Sequence, residues 1–143
     1  MRRRLLALLL LLAAPAAFAQ IPATDVGGDD RAAIRGAIAG QIAAFRRDDG
    51  AAAFGFAAPG IQAMFGTPDA FMAMVRGGYR PVHRPRDFAF RELVRLGDTL
   101  IQPVAVVGPD GVRVLALYAM ERQPDGAWRI AGCQLVDLPD EDA

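Results

Sequence analysis

Three turn signals in the second half of the chain constrain its fold more than any other feature. Gly, Pro and Asp are favoured in tight turns, and they cluster at Gly97-Asp98, Pro109-Asp110-Gly111 and Pro124-Asp125-Gly126. The runs between them are rich in β-branched and apolar residues, which predicts four strands, near 87–96, 100–107, 112–122 and 128–138. Because each turn is short, the strands form antiparallel hairpins and the sheet is a meander.

Helical periodicity precedes these strands. Four apolar residues recur at spacings of four, four and three, at Ile34, Ile38, Ile42 and Phe45. They form one stripe on a helix from about Asp29 to about Arg47. A short helix at 51–58, a turn at 61–65 and a helix opened by Thr67-Pro68-Asp69 follow. Helices first and strands afterwards predict an α+β domain with the helices packed on a curved four-stranded antiparallel sheet.

The third strand alternates between two apolar faces. Leu115, Leu117 and Ala119 point one way, and Val112, Val114, Ala116, Tyr118 and Met120 point the other way. The few short helices can cover one face, so a second subunit is expected to cover the other, and the protein is predicted to be a homodimer. The alternative is that the chain's own termini cover the middle of this strand.

The N-terminus has the order of an export signal. Arg2 to Arg4 precede an apolar run that ends in Ala17-Phe18-Ala19, before Gln20. The run Leu5 to Ala19 has 15 residues and contains Pro15, whereas a membrane-spanning helix needs about 20 apolar residues. A signal peptide at 1–19, cleaved between Ala19 and Gln20 after general secretory export, is therefore expected, with an uncleaved anchor as the alternative. The mature protein would be soluble, in the periplasm or secreted.

The predicted organisation after the leader is one domain. Removing 19 of 143 residues leaves 124, close to the commonest size for a single core. A flexible lead-in at 20–28 precedes the domain at 29–138, and an acidic tail occupies 139–143.

Composition excludes several mechanisms. The chain has no Lys, Ser or Asn, so a Ser nucleophile and a Schiff-base or P-loop lysine are impossible. One His and one Cys cannot supply a structural zinc site, and no cofactor or metal is expected. Without the three leader arginines, 13 of the 16 arginines remain against 16 acidic residues, which gives a net charge of −3. That balance does not favour nucleic acid.

Four residues are candidates for binding a small molecule: Tyr79, His83, Arg84 and Tyr118. Arg pairs with carboxylates, Tyr offers a hydroxyl in an apolar cavity, and His titrates near neutrality. Proton transfer by His83 would require a carboxylate, with Asp87 or Glu121 as candidates. The alternatives are an exposed loop histidine, a core tyrosine at 118, a tyrosine at 79 that closes a helix, and an arginine held by its loop. No residue is assigned as catalytic.

Two further residue groups have open interpretations. Cys133 is either an inert buried thiol or a link between subunits. The remaining candidates either line a cavity for an apolar ligand or belong to the core: Phe54, Phe56, Met64, Phe65, Phe71, Met72 and Met74.

Two long stretches carry a family resemblance. They are Phe65-Gly66-Thr67-Pro68 continuing to Arg84-Pro85, and Ala116-Leu117-Tyr118-Ala119-Met120-Glu121-Arg122-Gln123-Pro124-Asp125-Gly126 with Trp128-Arg129-Ile130-Ala131-Gly132-Cys133. They resemble the uncharacterised bacterial family called domain of unknown function 4864, which implies a secreted protein without an assigned activity.

The element order and the phrase Asp125-Gly126-Ala127-Trp128-Arg129-Ile130 also resemble the cone fold of nuclear transport factor 2 and its SnoaL-like relatives. That resemblance implies a pocket between helices and a bent sheet, in relatives that include isomerases, cyclases, dehydratases and binding modules. No catalytic acid of the isomerases can be matched here.

The sequence therefore predicts an exported small domain that binds a small molecule or a partner protein without catalysis. One alternative is a cofactor-independent isomerase, cyclase or hydro-lyase that transfers a proton in the pocket. A structural interaction module of the cell envelope is the other.

Overall fold

A computed structural model describes residues 21–138. The predicted leader, its cleavage site at Ala19 and Gln20, and the acidic tail lie outside the described residues. The helices are Gly28–Arg46 (α1), Gly50–Gly55 (α2), Pro59–Phe65 (α3), Pro68–Gly78 (α4) and Arg80–His83 (α5). The strands are Ile21–Pro22 (β1), Asp87–Phe90 (β2), Val94–Leu96 (β3), Thr99–Val107 (β4), Arg113–Arg122 (β5) and Trp128–Asp137 (β6). The predicted α+β class is confirmed.

The strands form one antiparallel sheet in the order β1-β3-β4-β5-β6, and β2 pairs with β4 beside β3. β2 pairs with residues 104–107 and β3 with residues 99–101 of the same strand. The predicted count of four strands is therefore wrong, since residues 21–138 form six strands of this sheet. The predicted first strand is broken in two, and β1 adds a further short strand at the edge.

Pro103 explains the break between β2 and β3. Its carbonyl accepts a hydrogen bond from the Arg91 amide at 3.0 Å, but proline has no N–H to return to the Arg91 carbonyl. The side chain of Gln102 donates to that carbonyl instead, with Nε2 at 2.7 Å. The regular ladder stops here, and Leu93 turns into the core, where only 1% of it is exposed.

Part of the segment predicted as a flexible lead-in belongs to the sheet. Ile21 and Pro22 pair with β3, and Ala23 is fully buried, with its amide 3.0 Å from the Leu93 carbonyl. The guanidinium of Arg31 donates to the carbonyls of Ala23 and Val26. These bonds attach the lead-in to α1 and to the sheet.

The helices pack on one face of the sheet, and the core lies between them. All four residues of the predicted stripe on α1 are buried, and Thr67 caps α4 through a bond from the Ala70 amide at 3.2 Å. The predicted loop after Tyr79 is instead the single helical turn α5. The indole of Trp128 donates to Asp30 at 3.1 Å and ties α1 to the last hairpin.

The register between β5 and β6 shifts at Ala119 and Met120, where Ala131 is the extra residue. Such a bulge bends and twists a strand. On the free side of β6, Ile130 exchanges hydrogen bonds with the segment between α2 and α3, from Phe56 to Ala58. The bend and this segment leave space between the helices and β6. Between residues 21 and 138, no helix is long and apolar enough to cross a bilayer.

Candidate functional site

A cavity of about 400 Å³ lies between the helices and the inner face of β5 and β6. This volume falls within the range of about 300 to 1,000 Å³ that small-molecule sites occupy. Met64 stands 76% exposed beside it. The lining comes from α1, α3, α4, α5 and the two strands: Gln41, Phe45, Ile61, Met64, Phe65, Phe71, Met74, Val75, Tyr79, Val82, Tyr118, Ile130, Ala131, Gly132 and Cys133.

Tyr118 supplies the most unusual polar group of this lining. It lies on β5, only 1% exposed, and its buried hydroxyl has no hydrogen-bond partner among residues 21–138. The thiol of Cys133, directly opposite on β6, interacts with this hydroxyl but lies outside hydrogen-bond geometry. Burial raises the pKa of Tyr118 well above its usual value, so the phenol stays neutral and can donate a hydrogen bond.

The neighbouring amides are already engaged. Gln102 lies opposite Tyr118 on β4, and its Nε2 donates to the carbonyls of Arg91 and Pro103. Gln41 of α1 is buried, and its Nε2 donates to the Ala53 carbonyl at 3.1 Å. Each amide therefore holds backbone in place, and the Tyr118 hydroxyl is left as the free donor of this group.

Tyr79 forms the side of the cavity where α4 ends. Its hydroxyl donates to the Cys133 carbonyl at 2.9 Å, which joins the end of the helical layer to β6. Burial raises its pKa. Unlike the hydroxyl of Tyr118, that of Tyr79 already has its partner, so its main effect is to fix the wall.

Cys133 contributes a protonated thiol to the lining. The residue is free and partly buried, and burial raises its pKa to about 12. The thiolate is the nucleophilic form of cysteine, so this side chain is not activated for nucleophilic chemistry near neutral pH.

His83 and Arg84 lie outside the cavity lining, at the C-terminal end of α1. The His83 ring packs against Phe45, with ring centroids 5.9 Å apart, and its Nε2 is 3.6 Å from Asp48. Arg84 contacts both oxygens of Asp48 at 2.9 Å and donates to the Phe45 carbonyl. The structure therefore pairs His83 with Asp48, not with the predicted Asp87 or Glu121.

Burial and the charge of Arg84 lower the pKa of His83, while Asp48 opposes the shift. The Arg84 hydrogen bonds hold the pKa of Asp48 below its usual value. Asp48 itself has a positive φ of 55°, a conformation more accessible to Asp than to most residues. This cluster lies where α1 ends and connects that end to α5.

Part of the cavity lining was predicted from the sequence. Of the seven Phe and Met candidates, four line the cavity: Met64, Phe65, Phe71 and Met74. Gln41 was missed, although a polar residue beside the apolar stripe of α1 was the available signal. Residues 21–138 contain no cluster of three His, Cys, Asp or Glu side chains that could hold a metal.

Comparison with known proteins gives one match. No curated protein and no solved structure matches the chain. A family model matches residues 28–143, a range that includes the five described helices and every described strand except β1. The chain belongs to the family described as a domain of unknown function, DUF4864.

Proposed function

We propose that this domain binds a small, neutral, largely apolar molecule that offers one hydrogen-bond acceptor to Tyr118. The observation that carries the proposal is the unpartnered, buried hydroxyl of Tyr118 beside a cavity of about 400 Å³. Leaving such a group unpaired costs about 1 to 3 kcal/mol. A ligand oxygen that accepts this hydrogen bond would recover part of that cost.

The charge of the cavity wall supports a neutral ligand. The described lining contains neither an arginine nor a carboxylate nor the histidine. A charged ligand would therefore lose its hydration without gaining a counter-charge, which is strongly unfavourable. Because Arg84 is engaged with Asp48 and Phe45, an anionic ligand is not favoured. A hydrocarbon body that ends in a ketone, ester or alcohol fits best.

The described cavity lining supplies no residue that supports proton-transfer catalysis. A general base would have to lie within hydrogen-bond reach of the ligand, and the wall offers no carboxylate or imidazole among the described residues. The thiol of Cys133 has a pKa of about 12. It stays protonated near neutral pH and therefore cannot act as a general base. Binding without catalysis is therefore our proposal.

Two features of the chain support export of the protein and a cone-shaped architecture around the cavity. The leader pattern from Arg2 to Ala19 supports export, so the ligand would be met outside the cytoplasm. The helical layer over a sheet with a bulge opposite Ala119 supports a cone-shaped architecture. In such an architecture the bent sheet keeps the cavity open.

Native mass spectrometry tests ligand binding directly. The full chain would be expressed with its leader, purified from the cell envelope, and weighed before and after denaturation. We expect an additional small mass that is lost on denaturation. A neutral fluorophore such as Nile red provides a second probe. Any resident ligand should displace the bound fluorophore and lower its fluorescence.

Two tyrosine variants identify the site. Tyr118→Phe removes the free hydroxyl and should weaken a ligand with an acceptor oxygen by about five- to tenfold, the value of one hydrogen bond. Tyr79→Phe is the matched control, because its hydroxyl is already bonded to Cys133. Equal affinities of both variants and the original protein for the ligand with an acceptor oxygen would refute the proposal. The absence of both a retained mass and Nile red binding would refute it as well.

A further inference from the structure

The face of the sheet turned away from the helices is apolar and, among residues 21–138, partly exposed except at Pro103, which is buried. The pairing of β4 with β5 places Ile101, Ala105, Leu115, Leu117 and Ala119 together on this face, and all of them retain partial exposure. From its composition, size and rim charges we infer that a second copy of this chain packs on it.

The centre of this outer face carries no charge. Val94 of β3 lies beside Ile101, and Gly132 of β6 lies beside Ala119. A hollow of about 260 Å³ opens there, with walls from Leu96, Leu117 and their neighbours. Gly132 has space above it, since a Cβ there would meet only the Ala119 methyl, at 3.8 Å. The hollow can therefore accept an apolar side chain from a partner.

The outer face has the size of a stable interface. β4 has nine residues, so it is about 30 Å long at roughly 3.3 Å per residue, and four strands side by side span about 19 Å. The face covers roughly 600 Å² in plan, and the relief of its side chains adds to that. Standard interfaces bury about 800 Å² on each partner. The whole outer face, with the relief of its side chains, would therefore be needed.

Charges of both signs stand at each end of the face. At one end, Asp87 and Arg113 flank Val107 of β4. At the other end, Glu121 pairs with Arg129 across β5 and β6. A two-fold contact places each end of the face against an end that carries one acid and one arginine. An acid of one copy can therefore meet an arginine of the other, which favours an isologous homodimer.

Sedimentation velocity of the protein obtained from the full chain, from low micromolar to near-millimolar concentration, tests this inference. We expect twice the mass of one chain. Leu117→Arg and Ala119→Arg each place a charge in the centre of the face and should weaken dimerisation about a hundredfold or more. Val112→Arg is the control, because Val112 is 54% exposed in the turn before β5 and the dimer should persist.

Circular dichroism and thermal unfolding establish that each variant is folded. Methyl resonances of the unsubstituted protein give an independent measurement: on dilution, those of Ile101 and Leu115 should shift, while that of Ile38 in the core should not. A monomer at every concentration overturns the inference and leaves the chain's own termini or another protein to cover the face. A dimer that persists in both folded arginine variants overturns it as well.

Discussion

At the residue scale, two tyrosines beside one cavity differ in the state of their hydroxyls. Tyr118 has a buried hydroxyl without a partner, whereas the Tyr79 hydroxyl donates to Cys133. We expect Tyr118→Phe to leave the free energy of unfolding of the ligand-free protein unchanged or slightly higher, since it removes an unpaired group. Tyr79→Phe should lower that free energy by about 1 kcal/mol.

Urea unfolding of both variants measures this difference. Because each substitution removes one oxygen and keeps the ring, the other packing changes are matched. If Tyr118→Phe lowered stability as much as Tyr79→Phe, the Tyr118 hydroxyl would have a hydrogen-bond partner after all.

Two glycines of α1 provide a second comparison between single residues. At Gly40 a Cβ would lie 2.5 Å from the tip of the Phe56 ring, whereas at Gly36 it would meet nothing within 4 Å. Gly36→Ala should therefore stabilise the helix by about 0.5 to 1 kcal/mol. Gly40→Ala should destabilise the protein by about 1 kcal/mol or more, because the ring must leave its packing position.

Thermal unfolding of the two alanine variants checks this expectation. The backbone of Phe56 is fixed by its bond from the Ile130 amide, so only the ring can move. A gain in stability for Gly40→Ala equal to that for Gly36→Ala would mean that the ring moves aside without loss.

At the scale of elements, Gln102 compensates for the proline in β4. Gln102→Met keeps the length of the side chain but removes the donor to the Arg91 carbonyl, and should lower stability by about 1 to 3 kcal/mol. Pro103→Val restores a backbone N–H facing β2 and β3. In the double variant the loss should therefore be smaller, which a double-mutant cycle of unfolding free energies measures.

Full additivity of the two substitutions would contradict this interpretation of the break between β2 and β3. Pro103 is buried on the outer face, and the Pro103→Val single variant of the cycle accounts for its change in packing. The comparison therefore reports mainly on the backbone hydrogen bond.

The contact between α1 and α5 makes stability depend on pH. The pKa of His83 is lowered from 6.5 by burial and by Arg84, so the unfolded chain binds the proton more tightly. The stabilising effect of neutral His83 is complete above about pH 6.5 and is lost as the pH falls through that value towards the lowered pKa. The free energy of unfolding should therefore decrease between about pH 7 and 5.

His83→Gln should make that decrease smaller, and urea unfolding at a series of pH values measures it. The pKa of Asp48 lies below 3.8, so its titration falls outside this interval. An unchanged pH profile in the variant would show that another group causes the decrease.

At the scale of the whole molecule, the sequence could predict features that depend on local signals, but not features that depend on contacts between distant residues. The turns at Gly97, Pro109 and Pro124 and the stripe on α1 act over a few residues, and they correctly predicted α1 and the three tight turns between strands. The site depends on contacts between distant residues: Tyr79 with Cys133, and Arg84 with Asp48. No periodicity encodes such pairs, so the sequence grouped His83 and Arg84 with the tyrosines although the structure separates them.

The start of the sheet adds a structural argument to the expected cleavage of the leader. β1 includes Ile21, and Ala23 is fully buried, so a cut after Ile21 would remove part of the folded domain. The motif Ala17-Phe18-Ala19 predicts a cut before Gln20. A cut at that position would leave β1 and Ala23 in the mature chain.

We therefore expect the protein recovered from the envelope of a bacterial host to begin at Gln20, which intact-mass measurement can establish. Ala19→Asp should block processing, because signal peptidases require a small residue before the cut, and the full-length precursor should remain with the membrane fraction. Thr24→Asp, an exposed substitution beyond the cut, is the control and should be processed normally. Recovery of the uncut chain from the original sequence would contradict the signal-peptide assignment and favour a membrane anchor.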